Sequence, residues 1–421
     1  MFNKLLLIFK DRDLRKKILF VLGVLLVFRV TAALPIPGID AARLRAFFEG
    51  NQFFGLLNIF SGGALDNLSV VMLGVGPYIT ASIIMQLLTM IVPRLKEIYQ
   101  EEGEAGRQKF NQYSRLLTVP LAVLQGFGLL VLLERQGVLG DIGFEARFVN
   151  IAVITAGSIF LMWLGELISE YGIGNGISLL IFSGIVSQIP GAIQRSLFTF
   201  DPSQIPLFLA FFAAGLLIVA GVVVVTEAER PIPVSYAKRI RGMRVYGGVS
   251  THLPLRVNQA GVIPIIFALS ILLFPQMIVN FLAQSSNQIL RVISSAILAF
   301  LASPWAYAAS YFILVFLFTY FYTAVTFDPD QISSNLQKQG AFVPGIRPGR
   351  STSEFLSRIL NRITLIGALF LGLIAVLPLA MRAVTGVVAL TIGGTGLLIV
   401  VSVVLETVKQ IEAQLVMREY E

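Results

Sequence analysis

Apolar residues fall in runs of about 17–23 along most of the chain, separated by short polar segments. A helical run of that length crosses the roughly 30 Å of a bilayer's hydrocarbon core. Ten such runs are read at residues 18–36, 73–92, 116–133, 149–168, 177–194, 206–226, 259–280, 305–326, 362–381 and 386–405. Unpaired backbone N–H and C=O groups cannot face lipid, so each run is predicted to be helical. Five runs precede Pro202 and five follow it. An odd-numbered set repeated in tandem enters the membrane from the opposite side the second time. The count therefore permits two inverted five-helix halves with a central site between them, although no residue-level repeat accompanies it.

Residues 53–72, FFGLLNIFSGGALDNLSVVM, break the pattern. They are too apolar for an ordinary exterior loop and too interrupted for a span. Gly74-Val75-Gly76-Pro77 separates them from the next run, because Pro lacks an N–H donor and Gly tolerates unusual dihedrals. Two readings stand. Either a short helix dips into the membrane and lines a cavity, or an interfacial helix lies on the outer face.

Composition agrees with the membrane reading. The 421 residues are 56% hydrophobic and only 13% charged. Soluble domains carry about 25% charged residues. The first basic stretch, Lys4 to Lys17, precedes an apolar run too long for a cleaved signal, so 18–36 reads as a first anchor.

Charge sets the orientation. If the N-terminus is cytoplasmic, 24 of the 32 Lys and Arg residues fall in cytoplasmic segments, 7 fall outside and Arg29 lies within the first run. That bias places both termini inside. The formal charge of +8 is then a one-sided basic face.

Two basic segments project from that face. In 227–258, beta-prone Val234-Ser235-Tyr236 and Val245-Tyr246 flank Lys238, Arg239, Arg241 and Arg244, which suits a hairpin with a basic tip. Residues 328–361 form a turn-rich loop around Gly340, Pro344, Gly345, Arg347, Pro348 and Gly349. Clustered Arg suits phosphate and acidic protein surfaces. Retention of the loops inside, with anionic lipid contact, explains the charge equally well.

Candidate chemistry is sparse. There is no cysteine and one histidine, His252, so disulfides, zinc sites and His-based acid–base pairs are excluded. No Walker-type phosphate loop or metal constellation occurs, and no cofactor is expected. Arg29, Glu166 and Glu406 are the ionisable groups in or at the ends of the runs. Glu166 and Glu406 read as interfacial anchors, and Arg29 as a partner of carbonyls. A coupled pump needs paired charges near the midplane.

Several stretches resemble one family, in order and with its spacing. They are Phe60-Ser61-Gly62-Gly63-Ala64-Leu65, Pro77-Tyr78-Ile79-Thr80-Ala81-Ser82, Glu102-Gly103-Glu104-Ala105-Gly106-Arg107, MWLGE at 162–166 and YGIGNGIS at 171–178. YAKR at 236–239, STHLPLR at 250–256, VNQAGVIP at 257–264, AFVPGIRPG at 341–349 and GGTGLL at 393–398 continue the match. Together they resemble the SecY family of bacterial channels for secretory and membrane proteins.

The resemblance implies an all-α polytopic membrane protein with ten transmembrane helices in two pseudo-symmetric inverted halves around an hourglass pore. The halves would be 18–200 and 201–406, between a cytoplasmic amphipathic segment 1–17 and a cytoplasmic tail 407–421. It implies a re-entrant plug near 57–68, including Phe60 to Leu65, and a cytoplasmic β-hairpin. An apolar pore ring would comprise Val75, Ile79, Ile177, Ile181, Ile266 and Ile399. Such a ring blocks ions by dewetting, yet lets an extended chain of any sequence slide through. β-Branched side chains hold a narrow collar with little entropy to lose.

It further implies a lateral gate, with Thr80, Gln86 and Asn258 as its polar residues, and docking of a ribosome or the SecA motor on Arg239, Arg241, Arg244 and Arg347. The family's usual pair of adjacent basic residues at the hairpin tip is interrupted here, since Met243 precedes Arg244. Small subunits like SecE and SecG, nascent secretory and membrane proteins, and the bacterial inner membrane complete the implied setting. The competing readings are a secondary transporter with inverted repeats and a discontinuous helix at Gly74 to Pro77, and an intramembrane enzyme. The first predicts midplane charges and the second a dyad such as two aspartates in facing spans. Every Asp falls in a loop or tail of this assignment.

Overall fold

A computed structural model of the chain describes residues 11–36, 61, 63–65, 67–135, 139, 143–198, 205–236, 239–241, 244–246, 250–282, 287–385 and 393–419. A helix overlies each of the ten predicted runs. They are α1 (Arg12–Ala32), α2 (Gly76–Ile91), α4 (Gly103–Arg135), α5 (Phe144–Tyr171), α6 (Gly176–Phe198), α7 (Ile205–Glu227), α8 (Ile263–Leu282), α10 (Pro304–Thr326), α12 (Arg350–Thr385) and α13 (Gly393–Glu419). Among the described residues, three shorter helices with defined ends lie between them: α3 (Pro93–Gln100), α9 (Gln288–Ala302) and α11 (Pro329–Lys338). Among the described residues, α4, α5, α10 and α12 are long and apolar enough to cross a membrane outright. A fifth candidate is the pair α2 and α3, bent by 115° at Val92. The fold is a mostly helical membrane fold.

Its surface explains the composition. α1 turns Leu14, Val24, Phe28 and Ala32 inward and leaves Leu19, Leu22 and Leu26 exposed. Similar apolar flanks cover α4, α5, α7, α10 and α12. Exposed apolar area on that scale fits a hydrocarbon solvent.

Capping and ion pairs fix the helix ends. The Asp11 carboxylate accepts from the backbone N–H of Asp13 and Leu14, and Asp328 caps α11 through Asp330 and Gln331. Antiparallel α4 and α5 are tied at both ends. Arg115 donates to Glu166 at 2.5 Å at one end, and Arg147 donates to both oxygens of Glu134 at 2.7 Å at the other.

The basic segments form a body of their own. β1 (Glu229–Tyr236) pairs antiparallel with β4 (Ser250–Arg256), and β2 (Arg239–Arg241) with β3 (Arg244–Tyr246). β5 (Ala341–Phe342) adds to the free edge of β1, giving the order β4-β1-β5. The predicted hairpin is present. The segment 328–361 is more ordered than a loop, because α11, β5 and the first turns of α12 occupy most of it. Ile232, Leu255, Val343, Leu356, Ile359 and Ile363 make a small core that docks the sheet on α12. Both basic segments are thus one unit.

Candidate functional site

The residues after α1 return to its C-terminal end. Ile36 N donates to Leu68 O and Val70 N to Leu34 O, with a β-bridge between Pro35 and Ser69. Ser61 is helical, and 63–65 and 67–75 then follow a series of turns. Ser61 Oγ accepts from Leu65 N at 3.2 Å, and Ser69 N donates to Ala64 O at 2.9 Å. Leu65 and Leu68 are fully buried against α4 and α5, in a cluster with Leu129, Leu133 and Ile154. Leu68 holds φ at +39°, a conformation unusual for a branched side chain. Of the predicted plug residues, Ser61, Gly63, Ala64 and Leu65 are placed here, while Phe60 and Gly62 lie outside the described residues.

α2 begins only after this turn series. Gly74 takes φ +58° and Pro77 occupies the first turn of α2, as the Gly-Val-Gly-Pro break predicts. Val75 therefore sits at the mouth of α2 and Ile79 one turn inside it. Both are buried in the largest apolar cluster, with Ile181 of α6, Ile266 of α8 and Ile399 of α13. Ile177 packs against the same cluster, half-buried, and Ala64 belongs to it. All six predicted ring residues thus converge from four helices on one apolar body that also includes Ala64 of the predicted plug.

A cavity of about 730 Å³ ends on that body. Ile79, Ile177, Ile263 and Ile266 form its apolar lining, with Phe267 and Tyr322. Its remaining walls are polar: Gln86, Gln108, Asn111, Gln112, Arg115, Glu166, Glu170 and Asn175. Sequence reasoning missed this role for Glu166, which pairs with Arg115 inside the cavity rather than anchoring alone. Only proximity through the fold joins residues 51 positions apart. The cavity is thus polar toward Gln108 and Glu170 and apolar at its β-branched end.

Close backbone approaches hold the α5–α6 wall. A Cβ on Gly176 would sit 1.8 Å from Gly165 O, and one on Gly165 would meet Ile177 Cδ1 at 2.5 Å. The two glycines allow the approach that places Ile177. Ser169 Oγ accepts from Gly176 N at 2.9 Å, and Asn175 Oδ1 accepts from Ile177 N and Ser178 N, capping α6.

The three predicted gate residues are not brought together into one hydrogen-bonded group. α2 and α4 both pack on α8. Thr80 donates to Gly76 O at 3.0 Å and accepts from Gln125 Nε2 of α4 at 3.5 Å. Gln125 was missed; a lone amide in an apolar run was the available signal. Gln86 lines the cavity, donates to Ser82 Oγ at 3.5 Å and leaves its buried Oε1 unpaired. Asn258 closes the turn before α8 by donating to Gly261 O at 3.1 Å, and its Oδ1 is likewise buried and unpaired. In the basic unit, the β2–β3 register sets Arg241 opposite Arg244 and Arg239 opposite Tyr246. Arg347 is exposed on the turn between β5 and α12.

Comparison with known proteins gives the family. The SecY family model matches residues 69–408. The SecY translocase subunit of Mycobacterium tuberculosis is 45% identical, over 97% of this chain and 96% of its own. That of Streptomyces coelicolor is 46% identical, over 98% and 97%. Among solved structures, a protein-conducting channel superposes with a TM-score of 0.63 at 21% identity, covering 94% of this chain and 91% of its own. The Sec61 channel of a canine ribosome–channel complex gives 0.62 at 21% identity, with the same coverage. The chain belongs to the SecY family, as a protein-conducting channel subunit of a bacterial translocase in the cytoplasmic membrane, and its work is transport rather than catalysis.

Proposed function

We propose that an unfolded chain enters through the polar vestibule, passes a collar made of Val75, Ile79, Ile177, Ile181, Ile266 and Ile399, and displaces the plug segment around Ser61 to Leu65. The observation that carries this reading is the floor of the 730 Å³ cavity, where Ile79, Ile177 and Ile266 meet the apolar cluster holding Val75, Ile181, Ile399 and Ala64. Ten helices cross the membrane in two halves, 18–200 and 201–406, with both termini and the segments 227–258 and 328–361 in the cytoplasm. The basic bias toward those segments supports the orientation.

Hydrophobic segments leave sideways between α2 and α4 on one side and α8 and α10 on the other, past Thr80, Gln86 and Asn258. A central Leu favours the bilayer by roughly 0.3–0.6 kcal/mol and a central Arg opposes it by about 3 kcal/mol, so composition alone sorts chains. The β2–β3 hairpin with Arg239, Arg241 and Arg244, and the Arg347 turn, offer a shared cationic surface to a ribosome or a SecA-like motor. The ribosome-bound canine relative supports the first partner. Single-span subunits like SecE and SecG complete the channel.

The absence of cysteine makes a direct test clean. Single cysteines at Ile79 and Ile181 are paired with a stalled secretory chain carrying one cysteine. Disulfides at both positions, shifting with the length of the stalled chain, are expected. An engaged chain that crosslinks at neither position would remove the collar from the path.

A further inference from the structure

α9 is built inside out for a helix on a protein. Its buried position is a serine, Ser294, exposed by only 2%, while Ile289, Val292, Ile293, Ile297 and Phe300 are exposed, Ile293 by 51%. A helix advances about 100° per residue. On that wheel Ile289, Ile293, Ile297 and Phe300 share one face, and Gln288, Arg291 and Ser295 the opposite one. Ser294, Leu298 and Leu301 mark the flank turned toward the protein, where α9 packs on α8 and α10. The helix therefore has three environments: protein on one flank, an apolar stripe below and a polar stripe above.

The apolar stripe continues into an exposed apolar surface. Ser303 is the single corner residue between α9 and α10. Just beyond it Trp305 is 72% exposed, and Ile313 and Leu317 carry the exposed apolar flank along α10. Trp is favoured where hydrocarbon meets headgroups. The only charge on α9 is Arg291, on the polar face, which suits a headgroup phosphate.

We propose that α9 is an interfacial helix whose Ile289–Ile293–Ile297–Phe300 face lies among phospholipid acyl chains, with Arg291 and Ser295 at headgroup level. Amphipathic helices of this kind sink about 5–10 Å into the headgroup–acyl boundary. The leaflet is the one opposite the basic segments, an assignment that rests on the topology proposed above. Because α9 joins α8 to α10, its seat fixes the outer end of that helix pair to the bilayer surface.

The full channel complex, reconstituted into phosphatidylethanolamine–phosphatidylglycerol vesicles, tests this with nitroxides on single cysteines at Ile293, Ile297, Gln288 and Ser295. Oxygen, enriched in lipid, should relax labels at Ile293 and Ile297 several-fold more effectively than a water-soluble nickel chelate, with the reverse order at Gln288 and Ser295. Equal access of the chelate to all four positions would overturn the proposal, as would shielding of Ile293 and Ile297 from both reagents, the mark of a protein partner or second copy. A membrane-impermeant thiol reagent at S295C should react only from the side opposite the basic segments. Reaction from the basic side alone would overturn the leaflet and the topology, separately from the interfacial seat.

Discussion

Gly157 of α5 faces the turn series that leads into α2, and an added Cβ would lie 2.1 Å from Val70 O. That neighbour is backbone, stitched to α1 through Val70 N and Leu34 O, and cannot swing aside. Gly157→Ala is expected to destabilise the protein by about 1–3 kcal/mol, the usual cost of overpacking. Gly126→Ala is the matched control, because its nearest neighbour would be Ile154 Cγ2 at 3.6 Å. Ordinary contact there leaves only the helical preference for Ala, worth up to about 1 kcal/mol in its favour. Thermal unfolding of the two purified variants should move in opposite directions or leave Gly126→Ala unchanged. The gate residues separate in the same way. In the proposed gate, a buried Gln86 Oε1 without a protein partner would cost the closed arrangement about 1–3 kcal/mol. Gln86→Leu removes that cost, so translocation should demand a more hydrophobic signal sequence, measured with a graded signal series. Asn258→Leu also removes the bond to Gly261, where φ is +61°, so it should loosen the turn before α8 instead. An unchanged signal threshold in Gln86→Leu would separate Gln86 from gating.

At the scale of elements, hydrophobic periodicity located a helix over every predicted run and most helix ends to within about four residues, but some helices extend well beyond their runs. α4 starts at Gly103 rather than near 116, and α12 at Arg350 rather than near 362. A hydropathy window measures the part that needs lipid, whereas a helix propagates into water as long as caps and side-chain pairs support it. Gly103 at φ +67° and Gly349 at φ +95° set those starts, by a backbone signal that composition does not carry. The Gly74 to Pro77 break was legible because Gly and Pro act locally. The Arg115–Glu166 pair was not, because it depends on two helices meeting. Both side chains are partly exposed, so the pair contributes about 0–1 kcal/mol. Glu166→Gln should lower stability by no more than that, and the exchange Arg115→Glu with Glu166→Arg should recover most of it. Unfolding of the single, single and double variants measures the coupling directly, and a coupling of zero would make the pair a bystander of the vestibule wall.

At the scale of the molecule, the large apolar cluster draws on α1, α2, α5 and α6 from the proposed first half and α7, α8, α10, α12 and α13 from the second. On the proposed reading the two halves close on shared apolar side chains, and a passing chain parts them. Sealing and opening then depend on the same residues. The proposed β-branched collar would exclude water while empty and would offer a sliding polypeptide no hydrogen bonds that must be broken. Polar side chains at the same points should keep water in the constriction. Ile181 and Ile399 are each 1% exposed and come from opposite halves, so replacing both by Asn places an amide on each side of the collar. Resting ion conductance of the reconstituted complex in planar bilayers should rise roughly tenfold, equivalent to about 1.4 kcal/mol off the barrier. Replacing Ile313 and Leu317 by Asn instead polarises the outward flank of α10, away from the cluster, and should leave conductance unchanged in whatever complex assembles. If the collar variant stays as tight as the unaltered channel, the plug alone makes the seal, and the cluster serves to hold the halves together rather than to exclude ions.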